Sequence, residues 1–254
     1  MIISFLKKTL INFLDEAGRL AITTGTFFKC AVKPPFRLKL IFSEMENIGA
    51  NSIFIVILTG FFTGMVFALE TGRVFMRFQA EGTVGSVVAM AVFRELGPVM
   101  AALMITARAG SAMAAQIGTM KVTQQIDALN TMAVEPVSYL VVPRVIAATI
   151  MMPILVGIID FIAIFGAWLV GVGMLEIGEG IFFDYIEWMV DVKDITDGLF
   201  KSMFFGFIIA IVCCHNGLRT EKGALGVGKS TTKAVVLSSV LILVADYILT
   251  SLLF

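Results

Sequence analysis

Five long apolar runs, separated by short charged segments, restrict this chain to a helical membrane bundle. A helix needs about 20 apolar residues to cross the hydrocarbon core of a bilayer. Charged residues make up only 15% of the 254 residues, whereas they form about a quarter of a soluble domain. We therefore expect an all-α membrane protein with a single domain, residues 1–254, and five transmembrane helices. The apolar runs cover residues 48–69, 85–118, 145–173, 198–216 and 234–254.

The distribution of basic residues predicts the orientation of these helices. Lysine and arginine concentrate in the cytoplasmic segments of membrane proteins. Seven of them precede residue 40 and four more lie in the loop 217–233, whereas the loop after the third run is rich in Asp and Glu. We therefore expect a cytoplasmic N-terminus and a periplasmic C-terminus.

The first 40 residues predict an amphipathic helix that is too polar to cross the membrane. Polar residues such as Lys7 and Asp15 occupy the face opposite an apolar stripe. Asn12 and Glu16 also interrupt the apolar core that a signal peptide requires. We expect this segment to lie in the membrane interface, with packing against another subunit as the alternative. The apolar stripe consists of Ile3, Leu6, Leu10, Phe13, Ala17 and Leu20.

The second apolar run carries ionisable residues within the membrane. Arg94, Glu95 and Arg108 lie in it, and each charge at the bilayer centre costs roughly 2.5–3.5 kcal/mol on insertion scales. Pro98 follows and removes a backbone hydrogen bond, which is tolerated where a helix lines protein or water. The charges indicate either a structural ion pair or a transport path, and Arg94 and Glu95 are the candidates for that path.

Small residues at helical spacing predict close contacts between helices. Gly60 and Gly64 form a GxxxG pair in the first run, and Gly110, Ala114 and Gly118 follow the same spacing in the second. Small side chains on one face allow another helix to approach closely. We therefore expect these four glycines to lie at helix–helix contacts.

A polar segment after the second run predicts a short helix outside the membrane. The sequence KVTQQIDALNTMAVEP places Val122, Ile126, Leu129 and Ala133 on one helical face. The segment is too polar to cross the bilayer, and an exposed apolar stripe binds a partner or the membrane surface. We expect a docking helix for a cytosolic partner over about 121–135.

Three further ionisable residues lie in the later apolar runs, namely Asp160, Lys201 and Asp246. We expect Lys201, near the outer end of the fourth run, to extend its ammonium group to the lipid headgroups. An ion-gradient-driven secondary transporter could use all three residues as a relay, and this is the alternative function. The two halves of the chain show no inverted repeat, a feature of many such transporters.

Two motifs match patterns of nucleotide or metal binding, but their positions in the sequence argue against both functions. GALGVGKS, residues 223–230, fits the phosphate-binding pattern G-x-x-x-x-G-K-[ST], which normally joins a buried strand to a helix. Here it joins two apolar runs, so we expect a flexible basic turn. Cys213, Cys214 and His215 diverge on a helix and have no fourth ligand nearby, so we expect no metal site. The three cysteines of the chain form no disulfide framework.

The run RELGPVMAALMITARAGSAMAAQIGTMKVTQQIDALNTMAVEPVSYLVVPR resembles the MlaE/YrbE permease family. These proteins are the membrane subunits of bacterial ABC transporters that carry phospholipids between membranes. The RELGPV and QQIDAL motifs are specific, and the resemblance extends through the C-terminal GVGKSTTKAVVLSSVLILVADYILTSLLF. The sequence departs from the family pattern at Gln116 and Gln124, where Glu is common, and at Lys229, where the family often has a small or neutral residue.

The resemblance implies a function and a set of partners. It implies a multi-pass protein of the bacterial inner membrane that moves phospholipids between the inner and outer membranes and so maintains outer-membrane lipid asymmetry. It implies a homodimer with a cytosolic ABC ATPase, a periplasmic MCE-domain protein and often a STAS-domain protein. ATP and Mg would bind the ATPase, so this chain would be a transporter subunit without catalytic residues, cofactor or metal, and no nucleic acid would bind.

The resemblance also implies roles for particular residues. The helix QQIDALNTM would be the coupling helix that enters a groove of the ATPase. Phospholipid would occupy a cavity between two copies of the chain, beside Arg94 and Glu95. The coupling residues would be Gln125, Ile126, Asp127, Ala128 and Leu129.

Overall fold

The structure is a computed structural model that describes residues 2–34, 37–221 and 223–253, with side chains from residue 14 onward. All regular structure in these ranges is helical, as the sequence predicts. The α-helices are α1 (Ile2–Ala31), α2 (Leu38–Ile48), α3 (Ile53–Met76), α4 (Val84–Ala91), α5 (Gly97–Ile105), α6 (Ser111–Val122), α7 (Gln125–Thr131), α8 (Val142–Gly173), α9 (Glu179–Met189), α10 (Val192–Leu218) and α11 (Gly223–Leu253).

Five helical segments of the described chain are long and apolar enough to cross a membrane, which confirms the predicted number of spans. The first two are composite, because a 3-10 turn joins α2 to α3 and two π-helical turns join α4, α5 and α6. Each segment begins before the apolar run that predicted it, since the residues that flank the run continue the helix. We number them span 1 (Leu38–Met76), span 2 (Glu81–Val122), span 3 (Val137–Gly173), span 4 (Val192–Leu218) and span 5 (Gly223–Leu253).

Span 3 packs against spans 1, 2 and 4, and glycines determine its contact with span 1. Gly60 and Gly64 of α3 are buried. A Cβ atom added to Gly60 would lie 2.7 Å from Cγ1 of Ile159, and one added to Gly64 would overlap the backbone of Ala163. The two helices therefore touch through their backbones along this seam.

Glycines also form the contact between spans 2 and 4. A Cβ atom added to Gly110 would lie 3.0 Å from Sγ of Cys213 in span 4, and one added to Gly118 would lie 2.7 Å from Oγ1 of Thr220, two residues after the end of span 4. Ala114 is fully buried between them. Span 4 thus lies close to the small-residue stripe of span 2.

Helix α1 ends at Ala31, where the proline-rich segment that follows predicts a break. Its last turns pack on the bundle, since Phe27 and Cys30 are buried and the Phe27 ring centroid lies 5.7 Å from that of Phe207. Burial raises the pKa of the Cys30 thiol above its ordinary value. The predicted apolar stripe of the first turns, up to Phe13, lies outside the described side chains.

The acidic loop between spans 3 and 4 contains a helix, α9, that the sequence does not predict. Phe182 of this helix is fully buried and fills a gap beside Gly85 of span 2 and Gly171 of span 3. The apolar residues of this helix do not mark one buried face, because Ile181, Phe183 and Trp188 are exposed whereas Phe182 is buried, and this explains the omission. Because α7 joins spans 2 and 3 whereas α9 joins spans 3 and 4, the two helices lie at opposite ends of the bundle.

Candidate functional site

A π-helical turn in span 2, Val92–Leu96, carries Arg94 and Glu95. Pro98 follows and has no backbone N–H, so the Arg94 carbonyl four residues earlier loses its α-helical donor. Nζ of Lys201 in span 4 donates a hydrogen bond to that carbonyl at 2.9 Å. Pro98 therefore leaves a backbone carbonyl of span 2 without its helical donor, and the ammonium group of Lys201 in span 4 donates to that carbonyl instead.

Lys201 lies at the centre of a polar network between spans 2, 4 and 5. Its side chain is 0% exposed, and Nζ lies 2.8 Å from Oε1 of Glu95 and 3.5 Å from Oδ1 of Asp246. Nζ also donates to the hydroxyl of Thr250 at 2.7 Å, and this hydroxyl lies 2.9 Å from Oε1 of Glu95. The prediction that Lys201 extends to the headgroups is wrong, because carboxylates from two other spans hold the ammonium group inside the bundle.

Arg94 has a carboxylate partner of its own near the start of span 4. Its Nη2 lies 2.7 Å from Oδ1 of Asp194, and its Nε donates to the same oxygen at 2.9 Å. Asp194 is buried, and its Oδ2 also accepts the backbone N–H of Asp191 at the beginning of α10. Sequence reasoning missed Asp194, since it lies among the acidic residues of the preceding loop and only the fold reveals its partner.

This group of charges is open on one side. The side chain of Glu95 is 37% exposed and that of Asp246 is 19% exposed, whereas Lys201 is covered. Three carboxylates accompany two cations, so an external anion competes with a carboxylate for each cation. We call the following five residues the charge cluster: Arg94, Glu95, Asp194, Lys201 and Asp246.

Asp160 and Arg108, which also lie inside apolar runs of the sequence, contact other parts of the bundle and lie outside the charge cluster. Asp160 is buried in span 3 against Gly97, and its Oδ1 has no hydrogen-bond partner in the described part of the chain. Arg108 Nη1 donates to the carbonyl of Asn47 at 2.8 Å and to Oγ of Ser52 at 2.7 Å, which ties span 2 to span 1. Of the residues that a secondary transporter could use, the structure pairs Lys201 with Asp246, while Asp160 packs on the backbone of span 2.

Gln116, which departs from the family pattern, contacts a buried arginine of span 3. Nη2 of Arg144 lies 3.0 Å from Oε1 of Glu44 and 3.3 Å from Oε1 of Gln116. An uncharged glutamine suffices because Glu44 already neutralises the guanidinium group. Gln124, the second departure, is exposed in the turn before α7, where its φ is 60°.

Helix α7 is shorter than predicted and turns its apolar side inward. Ile126 is buried in the main core, and Leu129 packs against that core. The centre of the predicted apolar stripe therefore faces the chain's own bundle rather than a partner, contrary to the prediction. The exposed side of the helix and its C-terminal turn carries Gln125, Asp127, Ala128 and Met132.

The GALGVGKS motif does not form a phosphate-wrapping loop, since the chain from Gly223 onward forms the first turns of α11. His215 shares a hydrogen bond of 2.8 Å between its Nδ1 and the hydroxyl of Thr23, which links span 4 to α1. Cys213 and Cys214 are buried free thiols. The described residues contain no group of three His, Cys, Asp or Glu side chains arranged to hold a metal ion.

Comparison with known proteins identifies relatives along nearly the whole chain. The family described as Permease MlaE matches residues 41–252, which include almost all of the five spans. A probable ABC transporter permease protein of Rickettsia typhi is 44% identical over 247 residues, which cover 97% of this chain and 95% of the relative. The intermembrane phospholipid transport system permease protein MlaE of Haemophilus influenzae is 36% identical over 255 residues, which cover 99% of this chain and 97% of the relative.

Proposed function

Because the chain belongs to the MlaE permease family, we propose that it is the membrane-spanning subunit of an ABC transporter that moves phospholipids between the inner and outer membranes. The observation that carries this proposal is the 36% identity, along 99% of the chain, to a relative named for intermembrane phospholipid transport. The charge cluster between spans 2, 4 and 5 supports it, since a lipid headgroup needs polar partners inside a membrane. This transport maintains the lipid asymmetry of the outer membrane.

The transporter contains two copies of the chain, with phospholipid between them. Only Ala234, Ser238 and Ile242 of α11 are buried, so the chain's own bundle leaves most of this helix uncovered. The outer half of α11 exposes Tyr247 and also carries Asp246 of the charge cluster. A second copy packed against this outer half of α11 encloses the open side of the cluster and creates an apolar space for acyl chains.

A separate cytosolic ABC ATPase drives the transport through α7. The exposed Asp127 and Ala128 contact the ATPase, and the buried Ile126 transmits the movement to the core. ATP and Mg bind the ATPase. A periplasmic MCE-domain protein exchanges lipid at the end of the bundle that carries α9, and a STAS-domain protein completes the complex in the cytoplasm. The chain lies in the inner membrane with its N-terminus in the cytoplasm and its C-terminus in the periplasm.

The charge cluster binds the headgroup by exchange of partners. Both cations are already paired, so a phosphate reaches Arg94 by replacing Asp194, or Lys201 by replacing Glu95. Charge-assisted hydrogen bonds to a phosphate are stronger than neutral ones. A lipid shifts the equilibrium between two conformations only if it binds them with different affinities. The exchange of carboxylate for phosphate in one conformation supplies that difference.

The test reconstitutes the complete complex in liposomes with a photoreactive phospholipid. We expect Arg94→Ala and Glu95→Ala to lower lipid crosslinking and ATP-dependent lipid transfer by about tenfold or more, which corresponds to roughly 1.4 kcal/mol or more of lost interaction. Arg73→Ala is the matched control, because Arg73 is exposed and pairs only locally with Glu70 at 3.1 Å. Unchanged labelling and transfer in both cluster variants would remove these residues from the path. Absence of ATP-dependent transfer by the wild-type complex would refute the function itself.

An ion-gradient-driven secondary transporter is the second candidate, favoured by one observation. Lys201 and Asp246 lie 3.5 Å apart within the membrane, and protonation of the carboxylate would break their attraction. Lipid transfer by the chain alone, under a proton gradient and without ATP, would support this alternative. Transfer that requires both ATP and the ATPase would exclude it.

A further inference from the structure

A polar cavity lies where span 4 turns into span 5. Its volume is about 300 Å³, and α1, the end of α10 and the first turns of α11 surround it. This turn and α7 lie on the same side of the membrane, because they join spans 4 and 5 and spans 2 and 3 respectively. The charged and hydroxyl side chains that line it include Glu16, Arg219, Glu221, Lys229, Ser230 and Lys233.

Backbone contacts fix the shape of the turn that forms this cavity. The Ser230 hydroxyl donates a hydrogen bond to the carbonyl of Asn216 at 2.5 Å. Gly226 packs directly on the carbonyl of Glu221, where an added Cβ atom would overlap it. Gly223 has a φ of 64°, in the left-handed region that favours glycine. The GALGVGKS motif therefore forms the first turns of α11, and these turns line one side of the cavity.

The cavity contains more positive than negative charge among its described residues. Arg219, Lys229 and Lys233 accompany the carboxylates of Glu16 and Glu221. Lys233 forms an ion pair with Glu16. The ion pairs within the ranges that the structure describes include neither Arg219 nor Lys229, so these two cations can bind an anion in the cavity.

An apolar groove continues from this cavity along span 5. Its volume is about 860 Å³, and it shares Glu16, Lys229 and Lys233 with the polar cavity. The polar cavity, with its excess of cations, is therefore continuous with an apolar groove that follows span 5 into the membrane. The apolar side chains of the groove are Leu225, Val236, Leu237 and Val240.

We propose that this cavity and groove bind one anionic phospholipid of the cytoplasmic leaflet. The phosphate lies between Arg219 and Lys229, which donate charge-assisted hydrogen bonds to it. An acyl chain lies along the groove against Val236 and Val240. A phospholipid fits because it joins an anion to an apolar chain in one molecule, whereas a free phosphate ion would leave the groove unfilled.

The bound lipid joins the turn after α10 to the first turns of α11, because Arg219 lies in that turn and Lys229 lies in α11, while Glu16 of α1 reaches the site through its ion pair with Lys233. The site is separate from the charge cluster, since Lys229 and Asp246 lie about 25 Å apart along the axis of α11 at 1.5 Å per residue. The inference therefore depends on the chain lying in a membrane and not on its transporting lipid.

The test measures binding of phosphatidylglycerol to the purified full chain in detergent by native mass spectrometry. We compare the double variant Arg219→Gln/Lys229→Gln with the control Arg77→Gln/Lys193→Gln, which removes one exposed arginine and one exposed lysine at the opposite end of the bundle. We expect the cavity variant to lower the apparent affinity by about tenfold or more, as the loss of hydrogen bonds from charged groups implies. The control variant should bind like the wild type, and thermal unfolding verifies that both variants fold.

Three results would overturn the inference. The first is equal affinity of the wild type and the cavity variant for phosphatidylglycerol. The second is displacement of the lipid by inorganic phosphate alone, which would identify a free phosphate ion as the occupant. The third is an efficient disulfide between two copies of Val236→Cys in a bilayer, which would show that a second chain covers the groove; the native cysteines of the chain are buried and do not interfere.

Discussion

Nζ of Lys201 donates a hydrogen bond to the backbone carbonyl of Arg94, 2.9 Å away. This carbonyl is the one that Pro98 leaves without an α-helical donor. A side chain of span 4 thus replaces a missing backbone donor in span 2, and the same ammonium group holds Glu95 at 2.8 Å. Proline and lysine together fix the two charged residues of the RELGP motif inside the membrane.

Replacement of Lys201 by Met should destabilise the protein, because Glu95 and Asp246 would lose their shared cation. Breaking a buried ion pair costs about 3–5 kcal/mol, and we expect the lower value since Glu95 is 37% exposed. Thermal unfolding in detergent measures the effect, with the exposed Lys193→Met as control. Addition of Glu95→Gln to Lys201→Met should restore part of the stability. A single variant as stable as the wild type would show that the ion pairs do not stabilise the fold.

Replacement of Pro98 by Ala should impair transport more than stability. Alanine restores a backbone N–H that competes with Lys201 for the Arg94 carbonyl, and it favours a regular α-helix in place of the π-helical turn. Glu95 would then leave its position beside Lys201. We expect ATP-dependent lipid transfer to fall by about tenfold, an effect of roughly 1.4 kcal/mol. Pro153→Ala, inside α8, is the control; an equal loss in both variants would contradict a special role for Pro98.

The seam between spans 1 and 3 predicts opposite effects for two glycine substitutions. A methyl group at Gly64 would overlap the backbone of Ala163, whereas one at Gly157 would meet nothing within 4 Å. Overpacking of this kind costs about 1–3 kcal/mol, while Gly→Ala in an open helical position stabilises by up to about 1 kcal/mol. Thermal unfolding of Gly64→Ala and Gly157→Ala tests the difference. Equal stability of the two variants would show that the seam adjusts without strain.

The two sides of α7 should respond differently to substitution. Ala128→Arg adds a bulky charge to the exposed side and should abolish copurification of the ATPase without changing thermal stability. Ile126→Ala removes a buried side chain and should lower stability by about 2–5 kcal/mol. Pull-down of the ATPase and thermal unfolding distinguish the two effects. Normal ATPase recovery with Ala128→Arg would refute α7 as the docking helix.

The sequence predicted the parts of the fold that depend on local pattern. Runs of apolar residues located five spans, and the break before Pro34 located the end of α1. The direction of the apolar side of α7 was not predictable, because an amphipathic pattern does not reveal whether its apolar face covers the same chain or a partner. The burial of Ile126 in the core shows that this face covers the same chain, and only the structure reveals that burial.

The charge cluster shows the same limit at the candidate site. Arg94 and Glu95 were recognised because charges inside an apolar run are unusual. Their partners were not recognised. Asp194 lies in a loop with many other acidic residues, and Lys201 lies near the end of a span, where a lysine commonly reaches the headgroups. Ion pairs between distant spans depend on how the helices are arranged around each other, and a single sequence does not contain that arrangement.

Gly60 and Gly64 bring the backbone of span 1 against the backbone of span 3 at Ile159 and Ala163, so the two helices cannot slide past each other there without separating. We therefore expect spans 1 and 3 to move together as one rigid unit. Under the proposed function, we expect the movement that the ATPase drives to occur at the contacts between spans 2, 4 and 5, where long polar side chains can exchange partners while the helices shift.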